Sequence, residues 1–383
     1  MRKIILFVIS LLFMQTAFAQ FSGEGSGTSS DPYKIYNAFQ LDQIRNYQES
    51  GVVFELMNDI DIYDYLLENT DQSGWQPIPL FKGVLIGNNH VIKGLYATKM
   101  YSEDKGLYAF FKQLEYATIK DLGLEYTKDI SCYNGALLCD CAKQSSIEGC
   151  FIKAQRVLCQ GFFGGLIGDC YTSTIKNNVL LYKEIISSDN KSVAGLCQGL
   201  YSSNCIGNSV KGDVICNGYE ENISWNVAGL IGKISYDPTW SARPDILVCD
   251  NKFEGKVEGQ SNVGGLVGYS NNSSECTITR NLIVGNVFGG QSQAIGGLCG
   301  WSIKGEYTNN VIINDTILGN KYSGYLCGYY GSSNHTVSNN RRFSTTKKKW
   351  GVRWWKLQFP RTFYIRVKCI ENARHIHRVR LEL

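Results

Sequence analysis

Few residue constellations in this 383-residue sequence could do chemistry. Hydrolysis of a glycosidic bond needs two facing carboxylates, one to give a proton and one to take a proton or attack. Asp59, Asp61 and Asp64 are the clustered candidates, but Asp59 and Asp61 fall in an opening strand pattern where turn or cap roles are expected. The body holds two histidines, His90 and His335. His90 follows a turn, and a surface role is expected for it in preference to catalysis. No Ser-His-Asp arrangement, glycine-rich phosphate loop or zinc signature is legible. The catalytic set is therefore empty, no metal or cofactor is expected, and the chain is not expected to be an enzyme.

Cysteines and aromatics are the other reactive or sticky groups. Cys197, Cys299 and Cys327 stand where Ile167, Ile231 and Val267 stand in a recurring motif, and Cys150 and Cys205 fall in two further recurring columns. Buried cysteine acts as a small hydrophobe, which is the role expected of these five. Cys139 and Cys141 are expected on opposite faces of a strand, which disfavours a shared metal. Cys132, Cys159, Cys170, Cys216, Cys249, Cys276 and Cys369 find no place in the pattern. Trp225, Tyr236, Trp240 and Trp301 lie near turns or variable segments, as do Tyr182, Tyr201, Tyr219 and Tyr269. Exposed rings stack on sugars or anchor a protein partner, so the first four are the candidate binding residues. The segment from Tyr236 to Pro244 is the longest insertion, and long loops on repeat proteins often carry binding.

The elements that must position these groups come from self-similarity. Gly164-Gly165-Leu166-Ile167-Gly168 recurs around Leu196, Leu230, Leu266, Leu298 and, more loosely, Leu326. Degenerate copies place Phe110 and Leu137 in the same column. A second motif falls between these copies and centres on Asn178, Asn208, Asn251, Asn281, Asn310 and Asn340, with Leu122 and Cys150 in the Asn place earlier. The residue two after the centre is apolar throughout (Leu124, Ile152, Leu180, Val210, Phe253, Ile283, Ile312). Each unit of about 30 residues thus offers short apolar strands broken by Gly and Asn. A lone unit cannot bury its apolar face, so units must stack and pair in parallel. The expected fold is all-β: a right-handed parallel β-helix of about eight units. Asn is expected at left-handed turns, with its side chains hydrogen-bonding along the axis.

The ends differ from the body. Met1-Arg2-Lys3, an apolar run from Ile4 to Met14 and Ala17-Phe18-Ala19 have the layout of a secretory signal peptide over residues 1–19. That run is too short to cross a bilayer comfortably, and no transmembrane segment is expected. Residues 20–105 read as a cap and first turns, with a short amphipathic helix from Asn37 to Tyr47 opened by the Asn37 cap. Residues 106–340 hold the repeats. From Arg341 to residue 383 the pattern fails: Arg342 falls where an apolar residue belongs, and thirteen Lys or Arg meet two acids. This tail reads as a basic surface-binding extension, a C-terminal cap, or a disordered or non-native stretch left by a frame shift, the last being favoured. Without the tail and the two basic residues of the leader, the chain's +4 becomes −9, which argues against nucleic-acid binding.

Gly27-Thr28, Asp31-Pro32-Tyr33-Lys34-Ile35, Asn58-Asp59-Ile60-Asp61, Trp75-Gln76-Pro77-Ile78, Phe81-Lys82-Gly83 and Gly87 to Leu95 occur in an order that resembles the opening of secreted bacterial proteins with GLUG-motif repeats. The Gly-Leu-x-Gly copies resemble the motif that names that family, over about residues 22 to 340. The resemblance implies an exported, surface-displayed or extracellular protein of adhesin-like character, appended in some relatives to a protease domain. No His-Glu-x-x-His exists in this chain. The expected function is an adhesin-like binding or structural module, with a glycan or surface protein as partner. The alternative is a polysaccharide-active β-helix lyase or hydrolase.

Overall fold

The computed structural model describes residues 21–70, 73–97, 107–189, 191–218, 225–237, 244–271, 276–290, 294–319, 321–332 and 334–344. It also gives the backbone of strands at 352–358, 364–372 and 375–382. The leader over 1–19, Tyr219, Trp240 and the side chain of Cys369 lie outside the described residues.

Four parallel sheets run the length of a solenoid, each taking one stretch of every turn. Following the chain, a turn begins with a short strand of the second sheet, such as Phe163–Gly164, and a sharp corner. It continues through the third sheet (Ile167–Tyr171), the first (Thr174–Lys176) and the fourth (Val179–Ser187). The second and third sheets have eight strands each, one per unit, and the first has eleven because the N-terminal region adds rungs. The parallel β-helix expected from the repeats is therefore the fold. Asn37 caps the helix Ala38–Asp42, accepting from the Gln40 amide at 3.0 Å, and the helix ends in a 3₁₀ turn, Gln43–Asn46. A second helix, Tyr63–Asn69, was not legible in the sequence. The strands at 352–358, 364–372 and 375–382 form an antiparallel three-stranded sheet.

Inward columns fill the bore. Ile119, Ile147, Ile175, Cys205, Val248, Ile278 and Tyr307 stack in register and are fully buried. Leu166, Leu196, Leu230, Leu266 and Leu298 do the same, and Leu326 nearly so. All thirteen described cysteines are unpaired thiols and only Cys141 is not buried, so Cys132, Cys159, Cys170, Cys216, Cys249 and Cys276 are core residues as well. At the last turn Arg342 pairs in register with Ile312, and its Nε donates to Asn314 Oδ1 at 2.8 Å, so the rung survives the loss of its apolar residue.

Two expectations change. The degenerate second unit pairs Cys139 with Ile167, which puts Leu138, not Leu137, in the Leu166 place. Inward partners on both sides of the corner (Ala136 with Gly164, Ala142 with Cys170) fix this register, and Leu137 stands in the place of Gly165. The second concerns the Asn column, whose members do not adopt the left-handed turn. The preceding residue does: Asn177, Asp250, Arg280, Asn309 and Asn339 have φ between 56° and 58°, and Gly149 and Gly207 stand at 69°. The turn frees the column side chain to point inward. There Asn178 Nδ2 donates to Asn208 Oδ1 at 2.9 Å, and the link repeats through Asn251, Asn281 and Asn310 to Asn340.

The Gly-Gly pair of the motif has a steric cause. A Cβ on Gly165, Gly195, Gly229, Gly265 or Gly297 would lie 1.9–2.3 Å from a carbonyl oxygen of the next rung. The preceding column holds Ala136, Ala194 and Ala228 in other rungs, but at Gly264 a Cβ would lie 1.8 Å from Val267 O. Gly265→Ala and Gly264→Ala are each expected to destabilise the fold by about 1–3 kcal/mol, as overpacking does. Denaturant unfolding of the two variants checks this, and a loss in neither would refute it.

Candidate functional site

Strands of the third sheet break simple alternation. In Cys139–Lys143 the inward residues are Cys139 and Ala142, so Asp140 and Cys141 both face outward between them. Regular alternation would put Cys139 and Cys141 on one face; this irregularity is what separates them. The same spacing recurs in each unit. It creates two adjacent outward columns beside the corner with the second sheet. One column reads Lys112, Asp140, Gly168, Gln198, Gly232, Gly268, Gly300, Gly328, and is mostly the closing Gly of the motif. The next reads Gln113, Cys141, Asp169, Gly199, Lys233, Tyr269, Trp301, Tyr329.

Where the first column loses its glycine, a cavity of about 330 Å³ opens to solvent. It is lined by Leu107, Asn134, Gly135, Asp140, Phe162, Gly168, Asp169, Gln198 and Tyr201. Asp140 and Asp169 occupy successive rungs, and each leans over a glycine of the following one. A Cβ on Gly168 would come within 3.1 Å of Asp140 Oδ1, and one on Gly199 within 2.4 Å of Asp169 Oδ1. The wall is aromatic. Tyr171 and Tyr201 stack at 4.6 Å, and Phe162 packs edge-on to Trp225 at 5.2 Å with Lys191 Nζ 4.7 Å above the indole. Asn134 Oδ1 accepts from the Phe162 amide at 2.7 Å and holds that loop against the cavity.

Burial controls the electrostatics. It pushes the Asp140 carboxyl from 3.8 up to about 7, helped by the Asp169 charge and opposed by Lys112. Asp169 rises to about 6, again through burial, with Tyr171 and Lys233 opposing. Asp169 Oδ1 has no hydrogen-bond partner among the described residues, while Oδ2 accepts from Tyr171 Oη at 3.4 Å. Two carboxyls that titrate near neutrality can give and take a proton at physiological pH.

The shifts carry a stability signature. Above the unfolded value of 3.8 the unfolded chain has released protons that the folded protein still holds until about pH 7. Their contribution is therefore lost as pH rises through the 4–7 window. The drop in melting temperature from pH 5 to pH 8 is expected to shrink in Asp140→Asn relative to the wild type. Parallel pH curves for the two proteins would refute it.

Of the residues singled out from sequence, Trp225 packs against Phe162 without lining the cavity, and Trp301 belongs to the second outward column. Tyr236 is half-buried just past Ile231–Ser235, and Trp240 lies outside the described residues. The Asn and Leu columns are structural and, apart from half-buried Asn340, buried. Asp59, Asp61 and Asp64 do not converge: Asp59 accepts from Lys93 Nζ at 2.7 Å and the Val91 amide at 2.9 Å, and Asp61 from the Tyr63 amide at 3.0 Å. His90 is beside Asp59 at 3.5 Å, and His335 meets Ser302 Oγ at 2.8 Å. Sequence reasoning missed Asp140, Asp169 and Phe162. The signal was the replacement of the motif's closing Gly by Asp140 and Gln198.

No protein-family model matches the chain. Over 111 residues it is 35% identical to a "Putative Gly-rich membrane protein" of Evansella cellulosilytica, a match covering 27% of this chain and 12% of that protein. A solved structure named IgA1 Protease covers 85% of this chain and 22% of its own, at 15% identity and a TM-score of 0.49. The chain therefore spans a small part of both proteins. Among the described residues no helix is long and apolar enough to cross a membrane. The expectation that the chain is not an enzyme does not stand, because Asp140 and Asp169 line one cavity. That expectation had rested on columns with no converging carboxylates, and Asp140 and Asp169 converge.

Proposed function

We propose that this chain is an exported β-helix protein, surface-displayed or extracellular, that takes a polysaccharide strand into the Asp140–Asp169 groove and hydrolyses its glycosidic bonds. One observation carries the reading: two carboxyls on successive rungs, both held near neutrality by burial, share an open cavity walled by stacked aromatics. Asp140, with the higher pKa, gives its proton to the glycosidic oxygen as the C–O bond breaks. Asp169 takes a proton from the water whose oxygen joins the anomeric carbon. The aromatic rings supply faces for sugar stacking. The leader-like residues 1–19 and the resemblance to GLUG-repeat proteins support export, and the family assignment belongs to this proposal.

The test is release of new reducing ends when residues 20–344 are incubated with a panel of purified polysaccharides, alongside affinity electrophoresis in gels containing each one. Products that vanish in the Asp140→Asn protein support the reading. Retarded migration without products would make the groove an adhesin-like binding site. Neither retardation nor products on any polysaccharide would overturn the proposal. N-terminal sequencing of protein from culture medium should find Gln20 first.

A further inference from the structure

The outward column that holds Asp169 continues past the cavity. Register pairs run from Asp169 to Gly199, Lys233, Tyr269, Trp301 and Tyr329. At about 4.8 Å per rung, the run from Asp169 to Tyr329 spans about 24 Å parallel to the axis. The neighbouring column beyond the cavity is bare glycine: Gly232, Gly268, Gly300 and Gly328. Gly232, Gly268 and Gly300 are buried, Gly268 against Asn226 and Gly300 against the Asn262–Val263 backbone, so the second column is the exposed edge there. The three rings are half-exposed and braced against each other, Tyr269 to Trp301 at 6.3 Å and Trp301 to Tyr329 at 4.6 Å. Rings already fixed by packing lose little entropy on binding.

Charge along the path is specific. Lys112, Lys191 and Lys233 flank the cavity and the column, and none of them has an ion-pair partner among the described residues. Elsewhere on the solenoid lysines are commonly paired, as Lys153 is with Glu125, Lys176 with Glu148 and Lys211 with Glu254. Lys112 faces Asp140, Lys233 faces Asp169 and Lys191 lies over the Trp225 ring, so three cations meet the cavity's two carboxyls.

We infer that the groove's ligand is a long, acidic, linear polysaccharide that runs from the Asp140–Asp169 cavity over Lys233 and onto the Tyr269–Trp301–Tyr329 column. This rests on the proposed function and names its substrate class. Lysines along the path meet carboxylates or sulfates of the glycan, and the rings meet its sugar faces.

The experiment measures binding of polygalacturonate and hyaluronate, with dextran as a neutral control, each as short and long size fractions. Wild type, Trp301→Ala and Lys233→Ala of the full chain are compared, with circular dichroism and melting temperature confirming the fold. The expected result is tighter binding of a long acidic fraction, weakened at least tenfold by Trp301→Ala while short fractions are unaffected. Lys233→Ala should flatten the salt dependence. Dextran binding as tightly as the acidic glycans, or affinity independent of length, overturns the inference and leaves hydrolysis standing. Length-dependent, Trp301-sensitive binding without product supports the ligand and overturns hydrolysis. No binding to either acidic glycan overturns the inference.

Discussion

Asn251→Ala is expected to lower the unfolding free energy by about 4 kcal/mol, among the largest effects of any single change in the body. Asn251 is 1% exposed, and its Oδ1 accepts from the Asn208 amide at 2.9 Å and from Asn208 Nδ2 at 3.0 Å. Its Nδ2 donates to Cys205 O at 2.9 Å and to Asn281 Oδ1 at 3.0 Å. Truncation orphans two buried donors and a buried carbonyl, each worth about 1–3 kcal/mol, and adds a small cavity. Members of a polarised chain also strengthen one another. Asn340→Ala ends the same ladder at a partly exposed rung and should cost about 1 kcal/mol. Unfolding in guanidinium, with hydrogen exchange on the Asn208 and Asn251 amides, reads the difference. A loss below about 1 kcal/mol for Asn251→Ala would mean that the ladder is ornamental to stability.

Asp140→Asn should reduce hydrolysis of a bound polysaccharide by at least about 10²-fold while leaving affinity within a few fold. The amide keeps the shape and much of the polarity but has no proton to give. Asp169→Asn should cause a similar loss for the complementary reason, that an amide cannot take a proton from water. The double variant should lose little more than either single one, because groups acting as a unit are non-additive. The wild-type rate should peak between about pH 6 and 7, where one carboxyl is charged and the other not. Reducing-end assays across pH check all of this. Full activity in Asp140→Asn would remove it from the proton-donor role.

The fold and the site differ in how far the sequence reveals them. Strand columns are readable because stacking repeats a simple demand: each unit must present an apolar residue at the same two or three places, or the bore is left unfilled. The Leu166 and Asn178 series met that demand at regular intervals, and the sheets confirm their register. Leu137 was misaligned by one because the second unit fills the motif's Gly-Gly place with Ala136-Leu137, so two adjacent leucines compete for the same column. The Asn turn was placed one residue late because a buried ladder and a left-handed backbone favour the same residue type at adjacent positions.

The candidate site escaped for a different reason. Asp140 and Asp169 stand 29 positions apart in sequence, in different columns, and nothing about their neighbours marks them as partners. They meet only because the third-sheet strands turn two consecutive residues outward, and because glycines on the next rung leave room for each carboxylate. Their proton affinity is set by burial against Tyr171, Tyr201 and the Phe162 corner, a property of the wall and not of the residues. The sequence by itself determined the stacked parallel fold, since hydrophobic periodicity and forbidden side chains act locally and repeat. Tertiary structure alone decided which outward-facing polar groups converge, because convergence depends on how far the backbone rises per rung and on where a side chain is missing.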